Sequence, residues 1–378
     1  MPDRSYYPQS MKRVPEIDLM KALAIIAMVL IHVWEVSSSL SVDSGIEKVT
    51  EFVIIFMGGI PSAGVFMLTM GWGAAFSRRS TPKTYLDRML QLILLGLLVN
   101  FFEHYVPAMI DPERFGPLSE IAPSIIAVDI YFFAPLGMLY FAVMKKFALD
   151  RKGSFAIVFS ILLVAVCSIL NIVLGYETIT TGNVWLDTVL GILIRENEWS
   201  YFPFISWIIF PVLGYSLATL FRHAKDRSQV LLFAGATGVA SIVIAEVLMK
   251  RYGIVDSVLI ETVTSSEASY YALHPVGALC GYGIIALEYV LASVFTTLNR
   301  QQIPAVLNYL SRNVMEIYIA QWVLIGLLSP LIARIENMWL NLAVGIAVLI
   351  GSCFGAKGYM KLTDRLKNSE KIKQYLLH

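Results

Sequence analysis

The sequence predicts an all-α integral membrane protein, a bundle of about ten transmembrane helices with both termini cytoplasmic. Three observations predict it. The 378 residues are 57% hydrophobic and only 15% charged, with a mean hydropathy of +0.68, whereas an ordinary soluble domain carries about 25% charged residues. Apolar runs of spanning length, about 20 residues each, recur from end to end. Lys and Arg gather in alternate connections between those runs, the pattern that marks cytoplasmic loops.

The first span, 16–36, reads EIDLMKALAIIAMVLIHVWEV and holds Asp18, Lys21, His32 and Glu35. At about 100° per residue these four fall on one stripe about 100° wide, with Lys21 and His32 about 16 Å apart along the axis. A charge at mid-bilayer costs at least about 2.5–3.5 kcal/mol, so the stripe is expected to face the bundle interior or a wet cavity. Asp18 and Lys21 also fit a snorkelling pair at a helix end, and Glu35 a solvated group at the outer edge. His32, inside the span, needs a hydrogen-bond partner and is the strongest site candidate.

The second span, 50–76, is interrupted by GGIPSAG at 58–64. Backbone groups freed by Gly and Pro are tolerated only against protein or a cavity. A kinked packing helix with small residues at a contact reads equally well. The third span, 84–104, ends with Asn100 and His104 on one face. The fourth, 119–146, carries Asp129 about 12 Å below its outer start, in the same half as His32. There a carboxylate can orient an imidazole and stabilise its protonated form. The fifth and sixth spans are 153–175 and 201–221, separated by an outer segment with Trp185 and Trp199. The seventh is 228–249. The eighth, 270–298, opens with His274 in YYALHP. The ninth, 304–330, includes SRNVMEIYIAQW at 311–322, where Asn313, Ile317 and Gln321 share a face with Glu316 beside it. Such polarity inside a span is commonly helix–helix glue. The tenth is 338–360. The whole chain, 1–378, is expected to form one transmembrane domain. Residues 1–15 are then a cytoplasmic N-terminal segment, with no sign of a cleaved signal peptide, and 361–378 a basic cytoplasmic tail.

Charge sorting supplies the orientation. Arg4, Lys12 and Arg13 precede the first span, and basic clusters follow the second, fourth, sixth, eighth and tenth. The remaining loops are acidic or mixed, with Asp43, Glu47, Asp111 and Glu113 among them. Lys21, Arg88, Arg312 and Asn313 then lie near the inner ends of three spans, where together they can clamp phosphates. Singly they are ordinary positive-inside residues. His32, His104 and His274 map to the outer side, but no two have helical ligand spacing, so no metal site is expected. Cys167, Cys280 and Cys353 sit within apolar runs and read as small core residues.

RVPEIDLMKALAIIAMVLIHVWE resembles the opening helix of the membrane-bound acyltransferase-3 family. It is also similar to the heparan-α-glucosaminide N-acetyltransferase-like proteins of bacteria. Asp18 stands at the family Asp, Lys21 where an Arg is usual, Ala22 at the Gly and His32 at the His that follows. GVFMLTMGWGAAFSRR with YLDRML, AVDIYFFAPLGMLY, FPFISWIIFPVLGY and LSRNVMEIYIAQW resemble later segments of the family. Lys in place of Arg keeps the charge and loses the bidentate fork.

The resemblance implies transfer of an acyl group, acetyl in the first instance, from cytoplasmic acyl-CoA to a hydroxyl or amine of an extracytoplasmic carbohydrate. It makes His32 a general base or an acyl carrier, with Asp129 and Glu35 as its catalytic companions. Lys21, Asp18, Arg88, Arg312 and Asn313 become donor-binding candidates. Asn100, His104, His274 and Trp207 become candidates on the acceptor side. The implied partners are the bilayer, acyl-CoA and the carbohydrate, with no nucleic acid and no metal, and a homodimer is left open. The implied location is the bacterial cytoplasmic (inner) membrane. The alternative is a proton-coupled secondary transporter, for which the broken second span, Asp129, His32 and Glu35 would form a relay.

Overall fold

In the computed structural model the described residues are 13–37, 40–77, 81–126, 130–147, 153–174, 180–194, 199–224, 226–252, 273–300 and 302–368. Asp129, most of the segment 1–15 and the end of the basic tail lie outside them. The described chain is helical apart from its connections and isolated bridges such as Ser41 to Asn337.

Helix α1, Pro15–Val36, stands at the centre. Pro15 occupies the first turn, where its missing N–H costs no hydrogen bond. Small and branched residues (Ala22, Ala24, Ile25, Val29, Val33) bury nearly all its faces, as expected of a helix apolar all round. It packs against six others: α2 (Gly45–Gly58), α3 (Ile60–Phe76), α10 (Pro275–Leu298), α11 (Ala305–Arg312), α12 (Val314–Ile332) and α13 (Met338–Asn368).

Outside this group come α4 (Pro82–Asn100), α5 (Ile130–Lys146), α6 (Gly153–Val173), α7 (Val184–Leu193), α8 (Ile209–His223) and α9 (Arg227–Tyr252). The closest pairings are α3 with α8, α4 with α5, α9 with α10 and α12 with α13. Long side chains such as Leu90, Leu94, Leu232 and Phe354 point outward, as lipid-facing residues would. Among the described residues eight helices are long and apolar enough to cross a membrane. The 17-residue α5 and the apolar stretch Val158–Val173 come close to that length. A helical bundle of about ten spans therefore stands.

The second span breaks where the sequence indicates, at Gly59. Pro61 lacks the N–H that Met57 O would accept in a continuous helix. The Ser62 hydroxyl supplies it at 2.6 Å, and lies 3.1 Å from Ala24 O of α1. Gly58 lets the break press on Ile31, where a Cβ would lie 2.4 Å away. The kink is thus packed against protein.

Three expected spans change shape. The third runs past 104 through a π-helical turn, Phe101–Tyr105, to Ile110. The fourth opens on a single short turn, Leu118–Ile121, and a 3₁₀ segment, Ala122–Ile126, where Pro117 and Pro123 stand, and α5 is described from Ile130. The ninth divides at Asn313, which leaves helical geometry (φ −120°, ψ 30°) and bonds Tyr309 O through Nδ2 at 2.7 Å. The spanning helix is then Val314–Ile332.

Candidate active site

The polar groups in the first turns of α1 sort themselves by partner. Glu16 is completely buried and takes a hydrogen bond from Arg227, which begins α9. Asp18 pairs with Arg13, Oδ2 to Nε, at 3.1 Å. Among the described residues no carboxylate forms an ion pair with Lys21. Lys21 instead lines a cavity of about 580 Å³.

Five stretches distant in sequence build that cavity: α1, α3, the middle of α4, α5 and the junction of α11 with α12. Arg88 and Arg312 also line it, both exposed, while Lys21 is half-buried. Glu316 is the acidic group in the same wall, so the lining carries three cations against one carboxylate. Neither arginine is in an ion pair among the described residues. Three cations lining one cavity favour an anionic ligand, which they can meet through charge-assisted hydrogen bonds. Much of the rest of the wall is apolar and adaptable, with Met67, Met70, Leu95, Phe133 and Met138, and Thr69, Gln91 and Ser311 add neutral polar groups.

The cavity also meets Tyr131 and Tyr318. Their rings lie 5.3 Å apart, and the Tyr131 hydroxyl donates to Met315 O at 3.3 Å. Tyr318 belongs to two environments. It lines the cavity, and it presents an edge to His32 at 5.8 Å and 84°. His32 is buried, 8% exposed, and is not itself part of the cavity wall. Trp322 lies along its face at 4.4 Å and 31°, and the Gln321 amide meets its Nδ1 at 2.9 Å. Tyr318, Gln321 and Trp322 are spaced i, i+3, i+4, so one face of α12 holds the imidazole from three directions.

Residues 14–357 match the family model Acyl_transf_3, described as an acyltransferase domain. The chain belongs to the acyltransferase-3 family. No match was found among curated proteins or among solved structures.

The acyltransferase's other candidate residues are placed as follows. Glu35 is exposed, about one turn beyond His32. Asn313 serves the break between α11 and α12, and neither it nor Asp18 lines the cavity. Asn100 is completely buried and donates to Ile125 O at 3.0 Å. His104 lies in the π turn, with Nε2 3.7 Å from Glu103 and its ring edge-on to Trp199. His274 caps α10, its Nδ1 accepting from Val276 N at 3.0 Å. Trp207 is completely buried against Phe202 and Phe210. Among the described residues no three His, Cys, Asp or Glu side chains gather to hold a metal ion. Sequence reasoning missed Tyr131, Tyr318 and Trp322. For Tyr318 and Trp322 the signal was present in SRNVMEIYIAQW, where the face of 313, 317 and 321 drew the reading toward helix–helix glue, and Tyr131 stood beside Asp129 in AVDIYFF.

Proposed function

We propose that this acyltransferase moves an acyl group, acetyl in the first instance, from cytoplasmic acyl-CoA to a hydroxyl or amine of a carbohydrate across the membrane. The Lys21 end of α1 faces the cytoplasm in this reading. The observation that carries it is a single cavity lined both by Lys21, Arg88 and Arg312 and by Tyr318, whose ring is in contact with His32.

The donor's phosphates meet the three cations, the two arginines as forks and Lys21 as a point charge. Its pantetheine arm follows the apolar wall toward Tyr318. His32 lies about 16 Å along the axis from Lys21, a separation that a long flexible arm is suited to cross. His32 takes the proton of the acceptor as it attacks the thioester carbonyl, or carries the acyl group itself.

The test uses purified protein in proteoliposomes, radiolabelled acetyl-CoA, and carbohydrates bearing free amines or hydroxyls as acceptors. Label is expected to pass to the carbohydrate, and His32→Ala is expected to reduce transfer by about 10²–10⁴-fold, the usual contribution of acid–base catalysis. Normal turnover by folded His32→Ala protein would remove the imidazole from the mechanism. Solute uptake without acyl-CoA, and with no label transferred, would establish the transporter instead.

A further inference from the structure

We infer that Gln321 is a positioning residue that selects the tautomer of His32, its carboxamide oxygen accepting Nδ1–H while the reaction runs. This rests on the acyl-transfer reading above, in its general-base form.

A neutral imidazole has one N–H, and the partner of one ring nitrogen decides which nitrogen keeps the lone pair. Gln321 is completely buried and its amide lies 2.9 Å from His32 Nδ1. A carboxamide offers that nitrogen two opposite choices. If the NH₂ group donates to Nδ1, the ring proton sits on Nε2 and Nε2 is not a base. If the oxygen accepts Nδ1–H, Nε2 carries the lone pair.

In the structure the NH₂ group faces Nδ1, and Gln321 Oε1 is buried with no hydrogen-bond partner among the described residues. Half a turn of the amide exchanges the two groups without moving the ring. Tyr318 and Trp322 hold the ring plane throughout, at 5.8 and 4.4 Å between centroids. The turned amide is also the one that suits imidazolium, because both ring nitrogens are then donors.

The step balances as follows. The acceptor's O–H or N–H proton passes to Nε2, and its heteroatom bonds the acyl carbon. The C–S bond breaks, and the departing thiolate receives the proton from Nε2. Nδ1–H stays on Gln321 Oε1 from start to finish.

Gln321→Met keeps the shape and removes the polarity, and Gln321→Glu can only accept. Gln321→Met is expected to lower kcat at least tenfold with KM for acetyl-CoA unchanged. Gln321→Glu is expected to remain active, with the acidic limb of its pH–rate profile moved to higher pH. The sign follows from a carboxylate favouring imidazolium, so that the base stays protonated until the pH is higher.

A second readout needs no turnover. In ¹⁵N-histidine-labelled protein holding a non-transferable thioether analogue of acetyl-CoA, with the His32 signals found by comparison with His32→Ala, wild type is expected to show protonated Nδ1 and unprotonated Nε2. Gln321→Met is expected to lose that signature. Protonated Nε2 in neutral wild-type His32 with that analogue bound, across the active pH range, would overturn the inference, as would Gln321→Met with unchanged kcat and pH profile. Full turnover by His32→Ala would instead overturn the acyl-transfer role of the imidazole, and with it the catalytic half of this inference, whatever the spectra show.

Discussion

Lys21, Asp18 and Glu16 stand within two turns of one another, yet each takes a different role because each meets a different neighbour. Asp18 has Arg13, Glu16 has Arg227, and Lys21 has the cavity. Lys21→Ala is therefore expected to raise KM for acetyl-CoA about tenfold, the low end of a charge-assisted hydrogen bond, while Lys21→Arg keeps it near wild type. Arg88→Ala and Arg312→Ala, at exposed positions, should raise it less, and kcat and KM measured separately check all three. Glu16 invites the opposite experiment. Arg227→Met leaves a buried carboxylate without its cation, at a cost of up to about 3–5 kcal/mol, and joining it with Glu16→Gln should recover most of that loss in thermal unfolding in detergent. That a charged stripe ran along α1 was legible from spacing alone. Which member was matched and which faced a cavity was not, because Arg227 is 211 residues from Glu16 and no local pattern relates them.

At the scale of the helix, small residues decide how closely the bundle closes. A Cβ on Gly71 of α3 would lie 1.8 Å from Pro211 O, and one on Gly214 of α8 would lie 1.9 Å from Leu68 O. The two helices thus touch backbone to backbone, the use membrane helices make of glycine. Gly71→Leu cannot be accommodated by turning a side chain, since the obstacle is main chain. It should cost more than the roughly 1–3 kcal/mol of ordinary overpacking, seen as loss of folded protein on size-exclusion chromatography. Ser62→Ala is milder. It strips Met57 O of its hydrogen bond beside Pro61 and should cost about 1–3 kcal/mol, read from thermal unfolding. The start of α9 has a pH-sensitive cap: the Ser228 hydroxyl and N–H both bond the Asp226 carboxylate and hold it below the usual carboxylate range. Because its folded pKa is depressed, that cap is present above the ordinary Asp pKa and is lost as pH falls through the folded value. The GGIPSAG break was legible because Pro and Gly act locally. The break at Asn313 was not, since Asn is tolerated within helices and only its folded backbone, with the side chain bonded to Tyr309 O, shows that the helix ends there.

For the whole molecule the orientation drawn from Lys and Arg makes its own prediction. In a variant lacking Cys167, Cys280 and Cys353, cysteines placed at exposed Thr81 and Lys361 should react with an impermeant maleimide only from the cytoplasmic side. One at exposed Ser44 should react only from the other. Labelling of all three from one side would reverse or dissolve the arrangement on which donor and acceptor sidedness rests.

The sequence by itself determined that this protein is a bundle of membrane-crossing helices, that its first helix carries an ionisable stripe, and which cations are candidates for an anionic donor. Length, hydropathy and 3.6-residue periodicity are local properties, and a bilayer forces a local pattern to become a helix. Only the tertiary structure decided that Lys21, Arg88 and Arg312 share one cavity with Tyr318, and that Gln321 and Trp322 hold His32 across 289 residues of chain. Contacts between helices depend on which faces meet and how near glycines let them come. Those distances are set by packing among all the helices together, so no single stretch of sequence contains them.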